Sequence, residues 1–159
     1  KVLITNLTRL LMPILRYPAG DRAEWVEPAG MADRKFRLLG RSEEGARVGV
    51  VSLYYEDVHA VLAPYQTELN ASGFQLRIRH YDQRDELTVR VAASLPAEAQ
   101  ATWSERLIDA LYAARPMLRE EHRRDAIHPP RFEWTDARLL EINPRTGKLK
   151  PIVDQRMAG

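Results

Sequence analysis

The chain has no cysteine, which removes disulfide bracing, thiolate nucleophiles and cysteine-ligated metal from consideration and fits a reducing compartment. The cytoplasm is the expected location. Also missing is any apolar run of the roughly 20 residues needed to cross a bilayer. The short apolar patch in residues 1–11 is broken by Thr5, Asn6, Thr8 and Arg9, with no small-residue cleavage pattern behind it. Neither a membrane segment nor a targeting signal is expected. Charge of one sign is lacking as well: Lys and Arg number 24 against 22 Asp and Glu, a formal net charge of +2. No concentrated basic tail announces nucleic acid. The densest basic stretch, residues 119–124, is interrupted by Glu120 and Glu121 and reads as a solvated helix end. His59, His80, His122 and His128 have no metal-ligand spacing, and none lies near a Ser or Cys arrangement that implies a nucleophile. No metal site is expected on this chain.

What is present suits one domain plus an appendage: 159 residues, 45% hydrophobic and 29% charged. Residues 2–7 and 12–17 read as strands, the second running into the turn signal Tyr17-Pro18-Ala19-Gly20-Asp21. A loop with Pro28, Gly30 and Asp33 leads to a short strand at 35–39, ended by Gly40-Arg41, and residues 42–45 read as a connector. Residues 47–53 form a Val-rich strand, and 55–64 a helix with Val58, Val61 and Leu62 on one face, stopped by Pro64. Phe74, Leu76 and Ile78, then Leu87, Val89 and Val91, alternate with polar neighbours, so a hairpin with one buried face is expected around the polar run 82–86. The cluster Asp82, Asp85 and Glu86 reads as a solvated turn.

Ser94 is a plausible N-cap for a helix reaching about Leu118, with Trp103, Leu107, Leu111 and Ala114 on one stripe and Pro116 as a kink or stop. Trp103, Tyr112 and Trp134 read as core or rim aromatics. One or two strands follow in 131–142, then a polar tail with the apolar pair Ile152 and Val153. From residue 47 onward this order predicts an α+β domain of the ferredoxin-like β-α-β-β-α-β kind.

Three stretches join a turn glycine to a charged residue where packing alone does not demand one: Arg16-Tyr17-Pro18-Ala19-Gly20-Asp21, Gly40-Arg41-Ser42-Glu43-Glu44 and Pro144-Arg145-Thr146-Gly147-Lys148. An aspartate on a tight turn can accept hydrogen bonds from both hydroxyls of a ribose. An arginine at a strand end presents a fixed fork to ribose or phosphate oxygens. A lysine on a Gly-containing loop can carry a compact cation to developing negative charge. Lys148 and Lys150 are equivalent on these grounds alone, and either reads equally as a solvated tail lysine.

In order and separation the three stretches resemble the "RYxxGD", "GRxDD" and "PRTxGK" signatures of the acyl-adenylate-forming superfamily. The opening 3–8 and 12–17 segments and the closing Pro151-Ile152-Val153-Asp154-Gln155-Arg156 resemble its phenylacetate-CoA ligase branch. The resemblance covers nearly the whole chain. It implies the C-terminal part of an ATP-dependent acid:CoA ligase, inactive alone, with residues 1–41 the terminal β segment of a large adenylate-forming domain and 42–159 a small mobile α+β domain. It further implies Lys148 as the catalytic cation, Asp21, Arg41 and Tyr17 as nucleotide contacts and Glu43 as hinge. The implied cofactors are ATP/AMP with Mg2+ and coenzyme A in the full-length parent. The implied partners are the upstream N-terminal adenylation domain and a thiol of coenzyme A or a carrier protein, with a homodimer as one admissible assembly; neither nucleic acid nor membrane is implied. The acid implied is aromatic, such as phenylacetate.

The sequence departs from the pattern at Pro18, which removes a backbone donor from the first loop, and at Val48-Gly49-Val50-Val51-Ser52, where relatives carry Arg-Gly-Val-Asn. A noncatalytic α+β module that binds a small ligand or a partner chain is the rival class. An RNA-binding α+β domain is a third, and it would show a steep salt dependence of binding.

Overall fold

The computed structural model describes residues 2–6, 8, 14–19, 21–31, 33–41 and 45–156. They divide into two compact units, Lys1–Gly45 and Ala46–Gly159.

The first unit consists of two hairpins. Strand β1 (Leu3–Asn6) pairs antiparallel with β2 (Ile14–Pro18), and β3 (Asp21–Trp25) with β4 (Phe36–Arg41). The sequence reading places a turn and loop where β3 lies. Asp21, Arg22 and Glu24 mask the strand, whose partner is fixed only by pairing with Phe36, Arg37, Leu38, Gly40 and Arg41. Trp25 meets Phe36 edge to face at 6.2 Å, and the Arg34 guanidinium lies 4.2 Å from the Trp25 ring centroid. Even so, Leu3, Ile4, Leu15, Trp25, Phe36 and Leu38 remain exposed. Two-stranded ribbons are marginal in water unless a further layer covers their apolar face.

The second unit holds the buried core. A four-stranded mixed sheet runs in the order β10-β7-β8-β9, formed by β7 (Gly73–Tyr81), β8 (Arg84–Ala92), β9 (Arg131–Thr135) and β10 (Ile152–Asp154). Strands β7 and β8 are antiparallel, while β10 lies parallel to β7 and β9 parallel to β8. Period-two alternation sends Phe74, Leu76 and Ile78 of β7, with Leu87, Val89 and Val91 of β8, to one face. Helix α1 (Tyr55–Leu62) and the long α3 (Ala97–Ala114) bring Val58, Val61, Leu62, Leu107 and Leu111 into the same core. Each such fully buried aliphatic side chain contributes about 1.5–3 kcal/mol.

Local chemistry sets the helix ends. The Asp57 carboxylate accepts from the Tyr54 N–H at 2.9 Å, occupying a donor at the start of α1. The short α2 (Gln66–Leu69) ends on Asn70 at φ 46, a left-handed cap that asparagine tolerates. Helix α3 starts after Pro96, two residues beyond the expected Ser94 cap, and stops at Arg115, whose φ of -131 and ψ of 75 are not helical. Pro116 then opens α4 (Pro116–Arg123), at the position where its missing N–H costs nothing.

The ferredoxin-like order expected from the sequence is not the order observed. Residues 47–53 are not one strand but parts of a hairpin, β5 (Gly45–Val48) with β6 (Val51–Tyr54), which forms its own two-stranded sheet. Gly49 at φ 59 makes that turn, so the Val-rich run folds back instead of crossing the domain. The edge beside β7 is filled by β10, from a tail the sequence reading leaves as a loop.

Asp82, Asp85 and Glu86 correct the solvated-turn reading, since Asp85 is 8% and Glu86 5% exposed. Only Asp82 and Gln83, both at positive φ, make the turn itself. One Asp85 oxygen lies 2.8 Å from His80 Nδ1, and the other accepts from the Gly49 N–H at 2.9 Å and from Arg156 Nη1 at 3.0 Å. Burial opposes ionisation of Asp85, but the hydrogen bonds from His80, Gly49 and Arg156 outweigh it and hold the carboxyl below the ordinary carboxylate range. Arg156 also donates to the Arg47 carbonyl at 2.9 Å. One carboxylate thus ties the tail to the β5–β6 hairpin and to β8.

Candidate functional site

Residues 143–148 fold as a small closed loop. The Asn143 side-chain oxygen accepts from the Arg145 N–H at 2.9 Å, and its carbonyl accepts from the Gly147 N–H at 2.8 Å. Gly147 stands at φ 68, and the Asn143 N–H closes the ring by donating to the Lys148 carbonyl at 2.7 Å. Below the ring, Ile142 and Leu149 form an antiparallel bridge, and the Lys150 N–H donates to the Glu141 carbonyl at 2.9 Å. The loop is therefore a short ladder with Lys148 at its outer end.

The base of this ladder sits over the second, polar face of the sheet. Gln75 of β7 donates from Nε2 to the Glu141 carbonyl at 3.0 Å and to the Lys150 carbonyl at 2.8 Å. Its Oε1 accepts from the Glu141 N–H at 3.3 Å. On the next strand Arg90 donates to the Leu139 carbonyl at 2.9 Å and to Glu133 at 2.9 Å, and Arg77 pairs with the same Glu133. Burial opposes ionisation of Glu133, but the hydrogen bond from Arg90 and the charge of Arg77 prevail and keep its carboxyl below the usual range. The polar face of β7, β8 and β9 thus anchors residues 139–150 through their backbone.

The two loop lysines differ in their surroundings. Lys150 Nζ lies 3.4 Å from the Glu141 carboxylate, whereas Lys148 is exposed and makes no ion pair with any described residue. An exposed cation with no counter-ion among the described residues is available to an external anion.

The other expected site residues lie in the first unit. Asp21, the first residue of β3, is the register partner of Arg41, the last residue of β4. Tyr17 is exposed on β2 opposite Ile4, next to Arg16 at φ 47. The Val2 N–H donates to the Asp21 carbonyl at 2.8 Å and the Val2 carbonyl accepts from the Ala19 N–H at 3.2 Å, linking the two hairpins. Glu43 lies outside the described residues. Among the described residues, no group of three or more His, Asp or Glu could hold a metal ion, and no helix is long and apolar enough to cross a membrane.

No protein-family model matches the chain, and no curated protein matches it. Solved structures do. A 2-hydroxyisobutyryl-CoA ligase in the postadenylation state, in complex with R3-HIB-AMP, superposes with a TM-score of 0.65 at 18% identity over 98% of this chain and 32% of the ligase. The same ligase in complex with 2-HIB-AMP gives the same TM-score of 0.65, identity of 18% and coverage of 98% and 32%. The chain shares the fold of that ligase's C-terminal part. It spans about a third of the length of these structures.

Sequence reasoning missed Gln75, Asp85 and Arg156 as organisers. In the sequence Gln75 alternates with Arg77 and Arg79 and looks like any solvent-facing strand residue. Its burial depends on a segment that arrives 66 residues later.

Proposed function

We propose that this chain is the C-terminal part of an ATP-dependent, adenylate-forming acid:CoA ligase. It joins a carboxylate to AMP with release of pyrophosphate, then passes the acyl group to a thiol. The observation that carries the proposal is Lys148, exposed at the end of an anchored loop and unpaired among the described residues, beside a Lys150 occupied by Glu141. The fold shared with the C-terminal part of an acyl-CoA ligase supports the same reading.

In this reading each candidate residue has one task. As the carboxylate oxygen attacks the α-phosphorus, charge grows on the phosphate oxygens and the departing pyrophosphate, and the Lys148 ammonium offsets it. Asp21 accepts from the ribose hydroxyls, Arg41 donates to ribose or phosphate, and Tyr17 lies against the nucleotide. Glu43 sits at the pivot, in the connector that begins at residue 42, about which the small domain exchanges its two working positions. Coenzyme A, or a carrier-protein thiol, takes the acyl group. Mg2+ would accompany the ATP phosphates.

The exposed apolar residues of the first unit support a covering layer from an upstream adenylation domain, which would also supply the phosphate loop and the acid pocket. The phenylacetate-CoA ligase branch and an aryl acid rest on the sequence motifs alone. A cytoplasmic location rests on the cysteine-free composition.

A noncatalytic ligand-binding module is the rival reading: the cleft lined by Tyr55, His59 and Phe74 has a volume of only about 200 Å³, but that lined by Asn70, Gln100 and Trp134 has about 570 Å³, within the roughly 300–1,000 Å³ of typical ligand pockets. Pyrophosphate exchange with ATP decides between the readings. The full-length parent exchanges in the presence of its acid and the 159-residue chain does not; exchange by the chain alone contradicts the proposal.

A further inference from the structure

Gln75 is 0% exposed, yet it is polar and lies on the sheet face opposite the apolar core. Its carboxamide makes three hydrogen bonds, two to the Glu141 backbone and one to the Lys150 carbonyl. A primary amide offers two donor protons and an acceptor on one planar group. A carboxylate there would face two carbonyl oxygens, and a cation could not accept from the Glu141 N–H. Gln75 is therefore matched to both sides of the loop neck at once.

We infer that Gln75 is the positioning residue that sets where Lys148 reaches, an inference that rests on the ligase reading above. The connection is continuous. Gln75 fixes Glu141 and Lys150, the Ile142 and Leu149 bridge forms the next rung, and the Asn143 N–H held by the Lys148 carbonyl at 2.7 Å forms the last. If the base is released, the rungs above it swing as a unit and the ammonium loses its aim. Misplacing a catalytic group by about 1 Å can cost on the order of a hundredfold in rate. The core on the other face, Leu76 and Ile78 with Leu87 and Val89, does not depend on these bonds.

The test uses Gln75→Leu and Gln75→Asn in the full-length parent, with Lys148→Ala as reference. Pyrophosphate exchange is run with a mixed pool of phenylacetate, benzoate and 2-hydroxyisobutyrate as acid probe, and amide hydrogen exchange is followed in the same full-length proteins. Gln75→Leu should raise exchange at the Asn143 and Lys150 amides at least about tenfold while β7 and β8 amides hold. It should also lower adenylation kcat about 10- to 100-fold with KM for ATP changed less than about twofold. Thioester formation from supplied acyl-AMP stays unchanged. Gln75→Asn, one methylene too short to span the neck but still an amide, gives the same split if the leucine variant folds poorly. Unaltered exchange at those two amides overturns the inference. So does loosened exchange with undiminished adenylation, provided Lys148→Ala still abolishes it. Undiminished adenylation in Lys148→Ala sinks the ligase reading itself, and the positioning role with it.

Discussion

The Lys150 amine lies 3.4 Å from the Glu141 carboxylate, across the neck of the loop that carries Lys148 at its end. This ion pair is half-exposed, and such pairs contribute about 0–1 kcal/mol. Lys150→Ala should therefore lower Tm by no more than about 5 °C and leave adenylation within about threefold of wild type. The Lys150 carbonyl keeps its bond from Gln75 in that variant. Thermal melts and pyrophosphate exchange read the two effects, and a collapse of exchange would exchange the roles assigned to the two lysines.

Gly49 occupies a demanding backbone position in the second unit. It stands at φ 59, and an added Cβ would meet Ile127 Cγ2 at 2.8 Å. Gly49→Ala should destabilise by roughly 1–3 kcal/mol, through left-handed strain and overpacking together. Chemical denaturation provides the comparison, and an unchanged midpoint would show that the β5–β6 hairpin adjusts freely.

Asp85 links stability to pH with a definite sign. Its carboxyl is held below the ordinary range when folded, so its contribution is complete above the unfolded value near pH 4 and fades as pH falls through the lower folded value. Glu133 and Asp154 are shifted the same way, Glu133 because its arginine contacts outweigh burial and Asp154 chiefly through its hydrogen bond from Arg156. Asp85→Asn should cost roughly 2–3 kcal/mol at pH 7 and flatten the loss of stability between about pH 5 and 2. Denaturation at a series of pH values checks both, and an acid limb as steep as wild type's would contradict the assignment.

Asp21 is proposed to bind ribose in the ground state and the transition state alike. Asp21→Ala in the full-length parent should then raise KM for ATP about tenfold or more with a smaller change in kcat. Steady-state kinetics would contradict this by showing a fall in kcat at unchanged KM.

Much of the second unit is written into local pattern. The alternation across β7 and β8, the 3.6-residue stripe of Leu107 and Leu111, and the break at Pro116 each follow from a period or a breaker that needs no tertiary knowledge. The remainder depends on distant chain. Strand β10 has only three residues and gains strand identity by pairing with Leu76, Arg77 and Ile78. Strand β3 reads as polar until Phe36 and Leu38 lie beside it. Asp85 looks solvated until Gly49 and Arg156 enclose it.

The candidate site follows from the sequence in a different way. Motif order singled out Lys148, Asp21 and Arg41, and the register then set Asp21 opposite Arg41. The motif separated Lys148 from Lys150, which residue chemistry alone left equivalent, and the structure adds that among the described residues Lys150 pairs with Glu141. Nothing in the sequence marked Gln75, because a buried glutamine and a solvated one follow the same strand alternation.

In the proposed function the Lys148 ammonium stabilises the charge formed during adenylation. Lys148→Ala in the full-length parent, assayed separately for acyl-AMP formation and for thioester formation from supplied acyl-AMP, tests it most directly. The expected result is a fall of about 10²- to 10³-fold in the first step, an unchanged second step and an unchanged Tm. Equal losses in both steps, or none in the first, would contradict it.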